Sequence, residues 1–282
     1  MKKKLWTLAL AFCLVSAMLP GGVFHAERAW AADATSVKIG GVELNSSTPY
    51  YVNGQATNDA NQNWMAKFEN GTLTLNGLNL NLEANKDIQG IVATGDLTIK
   101  LIGTNSITQN GTRNAIRAGF ALTISGAGTL TVRDSADSPN SLIYAEGKIE
   151  IKEGAVIDAA KTGGRAQTIN AHGGNLTVTG SNTSVKAVNH GSVENSDAIR
   201  VDLNGGSGNG TVTMSDGATL EAETAADDAV AINAWLLKVS SGQDYIARKG
   251  ESLAEVNKKI TMTPETSPSA YSKAVYGEVK EK

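Results

Sequence analysis

Between Asp87 and Ile107 the chain reads DIQGIVATGDLTIKLIGTNSI, and the same plan returns at least five more times before the C-terminal tail. Each unit has three short runs, here Gly90-Ile91-Val92, Asp96-Leu97-Thr98-Ile99 and Gly103-Thr104-Asn105-Ser106-Ile107, and each run is led in by Gly, Asn or Asp. Aligning the middle runs gives one column, Leu73, Leu97, Leu122, Ile149, Leu176, Val212 and Leu237, with steps of 24, 25, 27, 27, 36 and 25 residues. A period in this range belongs to stacked repeats, in which no unit can bury its apolar face alone. The leading runs give a second column, Ile91, Ile116, Ile143, Ile169, Ile199 and Ile232, and the closing runs a third, Ile107, Leu130, Val156 or Ile157, Val185 and Leu220.

Within each run apolar residues alternate with Thr, Asn, Lys or Glu, as in Thr72-Leu73-Thr74 and Thr129-Leu130-Thr131. One face therefore points inward and the other to water. Three strands per turn of about 25 residues predict an all-β, single-stranded, right-handed parallel β-helix of about seven coils over residues 70–249. Each column then becomes a line of aliphatics spaced by roughly 4.8 Å. The 30 glycines and 5% aromatics of the chain suit tight turns around a narrow aliphatic core.

The ends depart from the repeat. Residues 32–69 carry Val37, Ile39, Val42 and Leu44 around Gly40-Gly41, a hairpin signal, and gather Tyr50, Tyr51, Trp64 and Phe68. They are expected to cap the first coil, because an open coil end exposes apolar side chains and unpaired backbone groups. Ser252 with Glu255 is a capping-box signature, and Leu253, Val256 and Ile260 share a helical face, which predicts a short helical cap over residues 250–262. Residues 263–282, with Pro264, Pro268 and scattered charge, read as an extended or mobile tail. Insertions at Ser135–Asn140, Lys161–Ala166 and Leu203–Gly210 mark bulges of the coil path, where solenoids present their binding loops.

Lys2-Lys3-Lys4, the apolar stretch Leu5–Leu19 and Ala29-Trp30-Ala31 form a signal peptide over residues 1–31. The protein is therefore expected to be secreted, with possible retention at the cell surface and no transmembrane anchor. Cys13, the single cysteine, leaves with the signal, which excludes disulfides, thiol chemistry and cysteine metal sites from the mature chain. Phe12 stands where a lipoprotein signal wants a small residue. Without residues 1–31 the chain has 21 basic against 27 acidic residues, a net charge of -6, which argues against nucleic acid as partner. A monomer is expected.

Asp197 in NSDAI and Asp227-Asp228 in ADDAVAI precede leading runs, so stacking would set them on one rim, with Asp87 farther along it. Carboxylates grouped this way are suitable oxygen ligands for calcium. The plain alternative is that Asp at such a turn accepts hydrogen bonds from nearby backbone amides. Arg117 and Arg200, each directly after a column isoleucine, are the two arginines at outward strand positions and the candidates to hold an anionic ligand or to act as a lyase base. His172 and His190 fall in glycine-rich turns, as surface residues or a metal pair, and Thr74, Thr98, Thr123, Thr177 and Thr213 form an outward column broken by Glu150. Tyr144, Trp235 and Phe120 are the aromatics at repeat strands.

The runs ADDAVAINA (226–234), GDLTI (95–99), ALTISGAGTLTV (121–132) and NLTVTG (175–180) resemble the bacterial secreted β-helix proteins of carbohydrate-binding type, whose fold is the pectate-lyase-like solenoid. The resemblance covers roughly residues 70–240. It implies a secreted or surface protein, chiefly of Gram-positive bacteria, whose studied branch binds acidic plant polysaccharide such as polygalacturonate with calcium and lacks lyase activity. The polygalacturonase pattern is incomplete, because no Gly-His-Gly follows Asp227-Asp228. The function expected is thus a non-catalytic carbohydrate-binding protein for acidic polysaccharide, using Arg117 and Arg200 on the ligand and Asp197, Asp227 and Asp228 on calcium. The alternatives are a structural or adhesive solenoid of the cell envelope and a polysaccharide lyase.

The signal pattern predicts that the secreted protein begins at Ala32. Mass analysis of culture supernatant should find that N-terminus, and a lipid-modified Cys13 would contradict it.

Overall fold

The computed structural model describes residues 32–84, 86–134, 137–203, 208–239, 244–250, 252–256 and 274–280. The expected signal segment, the residues 204–207 of the expected glycine-rich loop and the residues 257–260 of the expected helix lie outside them. Within them the chain is a parallel β-helix with three sheets, six full turns and a seventh strand in one sheet. The leading sheet stacks Ile91–Ala93, Ile116–Ala118, Ile143–Ala145, Ile169–Ala171, Ile199–Val201 and Ile232–Asn233, all parallel. The middle sheet runs from Thr72–Asn76 through Leu97–Ile102 and Leu122–Ser125 to Leu236–Val239, and the closing sheet from Asn79–Leu82 to Thr219–Thr224.

The leading column pairs as expected at every step from Ile91 to Ile232. In the middle sheet Leu97, Leu122, Ile149, Leu176, Val212 and Leu237 stack in register, all buried. Two expected members are displaced. Leu73 lies opposite Ile99 rather than Leu97, which puts Thr72 beside Thr98 and removes Thr74 from the threonine column. Ile107 lies opposite Val132, and the position opposite Leu130 belongs to Asn105. A slip of two residues keeps every side chain on its face, so the alternating pattern alone cannot detect it. Asn105 is fully buried there, accepting from the Leu78 amide at 2.9 Å and donating to the Ile102 and Thr129 carbonyls.

Both ends are closed by reversing strand direction. At the N-terminus Ser36–Ile39 and Val42–Asn45 form a hairpin about Gly40 and Gly41, whose φ values of 56° and 86° fit the turn that glycine adopts most readily. Its first strand pairs antiparallel with Ile91–Ala93, while Ala66–Glu69 pairs antiparallel with Thr72–Asn76. Val37, Ile39, Leu44, Tyr51 and Phe68 are buried over the first coil, so the aromatic cluster outside the repeat is the cap it was expected to be.

The C-terminal end requires a correction. The helix stands within its expected range, but in place of an extended or mobile tail Ala274–Lys280 forms a strand antiparallel to Thr219–Thr224, and Asp244–Gly250 pairs antiparallel with it in turn. Among the described residues the helical part of this end is Leu253–Val256. Val275 and Val279 supply the alternating apolar pair that fits this strand to the core, and both are buried.

Leu122 is fully buried in the centre of its column. Leu122→Asp forfeits roughly 1.5–3 kcal/mol of burial and adds a desolvated charge. We expect loss of cooperative thermal unfolding by circular dichroism; an unchanged melting curve would contradict the column.

Candidate functional site

The middle residue of each leading strand points away from the core, so register alone aligns Val92, Arg117, Tyr144, Asn170, Arg200 and Asn233 in one outward column, continued at the cap by Lys38. Arg117 and Arg200 therefore share one face. They stand three strand steps apart, about 14 Å at the usual interstrand spacing. Two adjoining depressions of about 400 and 410 Å³ follow this column and share Arg117. The first is lined by Lys38, Asp87 and Arg113 beside it, the second by Tyr144, Arg165, Asn170, His172 and Arg200.

The charges are organised in pairs. Arg117 Nη2 meets Glu146 at 3.1 Å, and its guanidinium stands 5.8 Å from the centre of the Tyr144 ring. Tyr144 lies 5.9 Å from the His172 ring, and burial first, then hydrogen bonding to Glu146, holds its phenol well above the ordinary value. Arg200 Nε donates to both oxygens of Asp202 at 3.2 and 3.0 Å. Arg113 clasps Asp87 in an exposed two-point ion pair. Lys38 and Arg165 are exposed and enter none of the ion pairs formed among the described residues. Lys38, Arg113, Arg117, Arg165 and Arg200 thus line the groove against a single lining carboxylate, Asp87.

The loops that wall this groove are pinned from inside. Gln109, Asp134, Lys161, Asn189 and Thr224 occupy successive inward positions at the ends of the closing strands, and all are buried. Gln109 Nε2 donates to the Ile88 and Asn114 carbonyls, Asn189 Nδ2 to those of Ala166 and Asp197, and Thr224 Oγ1 to that of Ser196. Lys161, fully buried, donates to Asp134 Oδ2 at 3.0 Å and to the Ser138 carbonyl at 2.8 Å. Four of these five side chains, Gln109, Lys161, Asn189 and Thr224, therefore each fix a loop through its backbone carbonyls. The residues were missed in the sequence because strand ends rich in Gln, Asp, Lys and Asn look like surface. Their spacing, two beyond Ile107, Val132, Ala159, Ala187 and Ala222, places them in the inward phase and was the available signal.

Of the aspartates expected to hold calcium, Asp197 is engaged within the turn. Asp197 is 2% exposed and takes hydrogen bonds from the Val230 amide at 3.0 Å and Asn233 Nδ2 at 2.9 Å, the backbone-accepting role stated as the alternative. Burial raises its pKa against those two hydrogen bonds. Asp227 and Asp228 are exposed on the following turn. Among the described residues no group of three or more His, Cys, Asp or Glu side chains is arranged to hold a metal ion. His172 joins the groove, with Nδ1 3.7 Å from Asp202, while His190 is exposed elsewhere on the closing strand's exit. Trp235, 71% exposed, and Phe120 stand at the turns into the middle sheet, outside the groove linings.

Removing one member of the buried Lys161–Asp134 pair takes the opposite charge away from the other. We expect Lys161→Ala to cost about 3–5 kcal/mol, and the double change Lys161→Met with Asp134→Leu to recover most of it. Urea denaturation of the three proteins checks this; equal losses in single and double variants would contradict it. No family model, curated protein or solved structure matches the chain, so the meaning of the groove rests on its own geometry.

Proposed function

We propose that the protein is a secreted or surface-held, non-catalytic binder of acidic polysaccharide, and that the ligand lies along the outward column of the leading sheet. The observation that carries this reading is the charge of the groove. Five Lys and Arg side chains line it, and since Arg113, Arg117 and Arg200 are paired to Asp87, Glu146 and Asp202 it keeps an excess of two positive charges, on a chain whose residues 32–282 carry a net charge of -6. Such a local inversion attracts an anionic polymer that the rest of the surface repels. Guanidinium groups match carboxylates in two-point hydrogen bonds, and a Tyr144 ring beside them offers an apolar surface to a sugar face. The coil spacing supports a linear ligand. Successive strands advance by about 4.8 Å, comparable to the advance of one sugar unit in an extended glycan.

The calcium expectation takes a reduced place. Asp197 spends its carboxylate inside the turn, and Arg117 and Arg200 line the groove, so in this reading uronate carboxylates are met by arginine directly. Titration calorimetry with polygalacturonate, with calcium and then with chelator, tests the proposal. We expect binding in both conditions, weakening as salt rises. Arg117→Ala and Arg200→Ala should each weaken it about tenfold or more, as charged hydrogen bonds contribute roughly 1.5–3 kcal/mol, while Asp228→Ala leaves it unchanged. Absence of binding in either condition favours the structural solenoid, and cleavage of the polymer favours the lyase.

A further inference from the structure

The residue just past each leading strand forms a second column beside the groove. Ala145, Ala171 and Val201 are in register, so Glu146, His172 and Asp202 follow one another along the stack, one coil step of roughly 4.8 Å at a time. The backbone holds that register, since the amides of Glu146, His172 and Asp202 donate to the Ala118, Ala145 and Ala171 carbonyls of the coil before, at 3.1, 2.9 and 2.9 Å. An imidazole thus stands between two carboxylates. Each of these carboxylates already holds a groove arginine, Glu146 taking Arg117 Nη2 at 3.1 Å and Asp202 taking Arg200 Nε at 3.0 Å. The His172 side chain is 49% exposed, lines the same depression as both arginines, and brings Nδ1 to 3.7 Å from Asp202 Oδ2. Two further groups face it: Arg165 on the wall of the depression, and Tyr144, whose ring centre is 5.9 Å away and whose phenol burial holds well above its ordinary value, so that it keeps its proton. The buried Asp197 feels the charges of Arg200 and Asp202.

We infer that His172 is a positioning residue, which couples the binding of an anion in the groove to the uptake of a proton. Imidazole is the side chain that ordinarily changes charge between about pH 5 and 8. Neutral, it leaves Glu146 and Asp202 to their arginines, and an arriving anion must compete with those carboxylates. Protonated, it is a cation between the two carboxylates, so it loosens their hold on Arg117 and Arg200 and raises the groove's excess from two positive charges to three. By the reciprocity of linked equilibria, a bound anion favours the same proton. Binding therefore tightens as pH falls. This inference rests on the acidic-polymer reading above and adds its regulation, and it holds for any anion that reaches the two arginines.

The test uses dextran sulfate, whose sulfate esters keep their charge throughout, beside polygalacturonate, whose carboxylates are ionised above about pH 5. In calorimetric titrations at about pH 5.5 and about pH 8, wild-type protein should bind both polymers about fivefold more tightly at the lower pH. His172→Gln, with its melting temperature measured alongside, should show the weaker affinity at both. His190→Gln, which removes the other histidine of residues 32–282, should keep the wild-type profile. Equal wild-type affinities at the two pH values, or a profile that survives in a folded His172→Gln, would overturn the inference while leaving the acidic-polymer reading intact. Binding of neither polymer at either pH would overturn both. If His172→Gln fails to fold, nuclear magnetic resonance of the wild-type protein decides: near neutral pH either polymer should move the Cε1–H signal of His172, and not that of His190, toward its acid position, and an unmoved His172 signal would overturn the inference.

Discussion

Parallel strands in register are the constraint on which everything else depends. Once each coil hydrogen-bonds to the next along all three sheets, every position of the repeat becomes a column, and a side chain is judged by the neighbours directly above and below it. Aliphatic columns are rewarded inside, and the same rule collects polar residues inside only where they satisfy backbone groups. The closing strands use it both ways, with Leu130, Ile157, Val185 and Leu220 in one column and the buried series from Gln109 to Thr224 in another. The stack also makes glycine necessary where turns meet. A Cβ on Gly119 would come within 2.2 Å of the Thr94 carbonyl of the coil before it.

The reversal of strand direction at the two ends answers a liability of the same arrangement. An open parallel edge is a template for another copy, and continuing the pattern would prolong it. The antiparallel cap strands use the edge hydrogen bonds without reproducing the coil. The leading and middle sheets are closed this way at their N-terminal ends and the closing sheet at its C-terminal end.

Most of the architecture was legible because apolar alternation and a near-constant period are direct consequences of the column rule. The leading isoleucines could be aligned without error, since each strand contains two or three residues and offers little room to slip. Leu73 and Ile107 were misplaced for the opposite reason: their strands are longer, and a two-residue shift preserves the pattern. Ala274–Lys280 was passed over because the prolines before it suggested a tail, although Val275 and Val279 carry the strand phase. At the site, Arg117 and Arg200 were visible as outward residues after column isoleucines, and their common face follows from the register. Asn170 was not seen to be buried, because an uncharged amide at an outward position has no sequence signal for burial; it is held by Gln167, just before its own strand, and by Ser141, just before the preceding one.

The leading strands contribute one outward side chain per coil to the groove, and their core partners, the isoleucine and the small residue on either side, face away from it. Ligand preference and folding thus draw on different letters of the same three-residue word. A lineage can rewrite the middle letter, or duplicate a whole coil and lengthen the groove by one unit, while the hydrophobic stack and both caps stay as they were. Diversity on such a scaffold accumulates as a change in reading length and spelling rather than as a new fold.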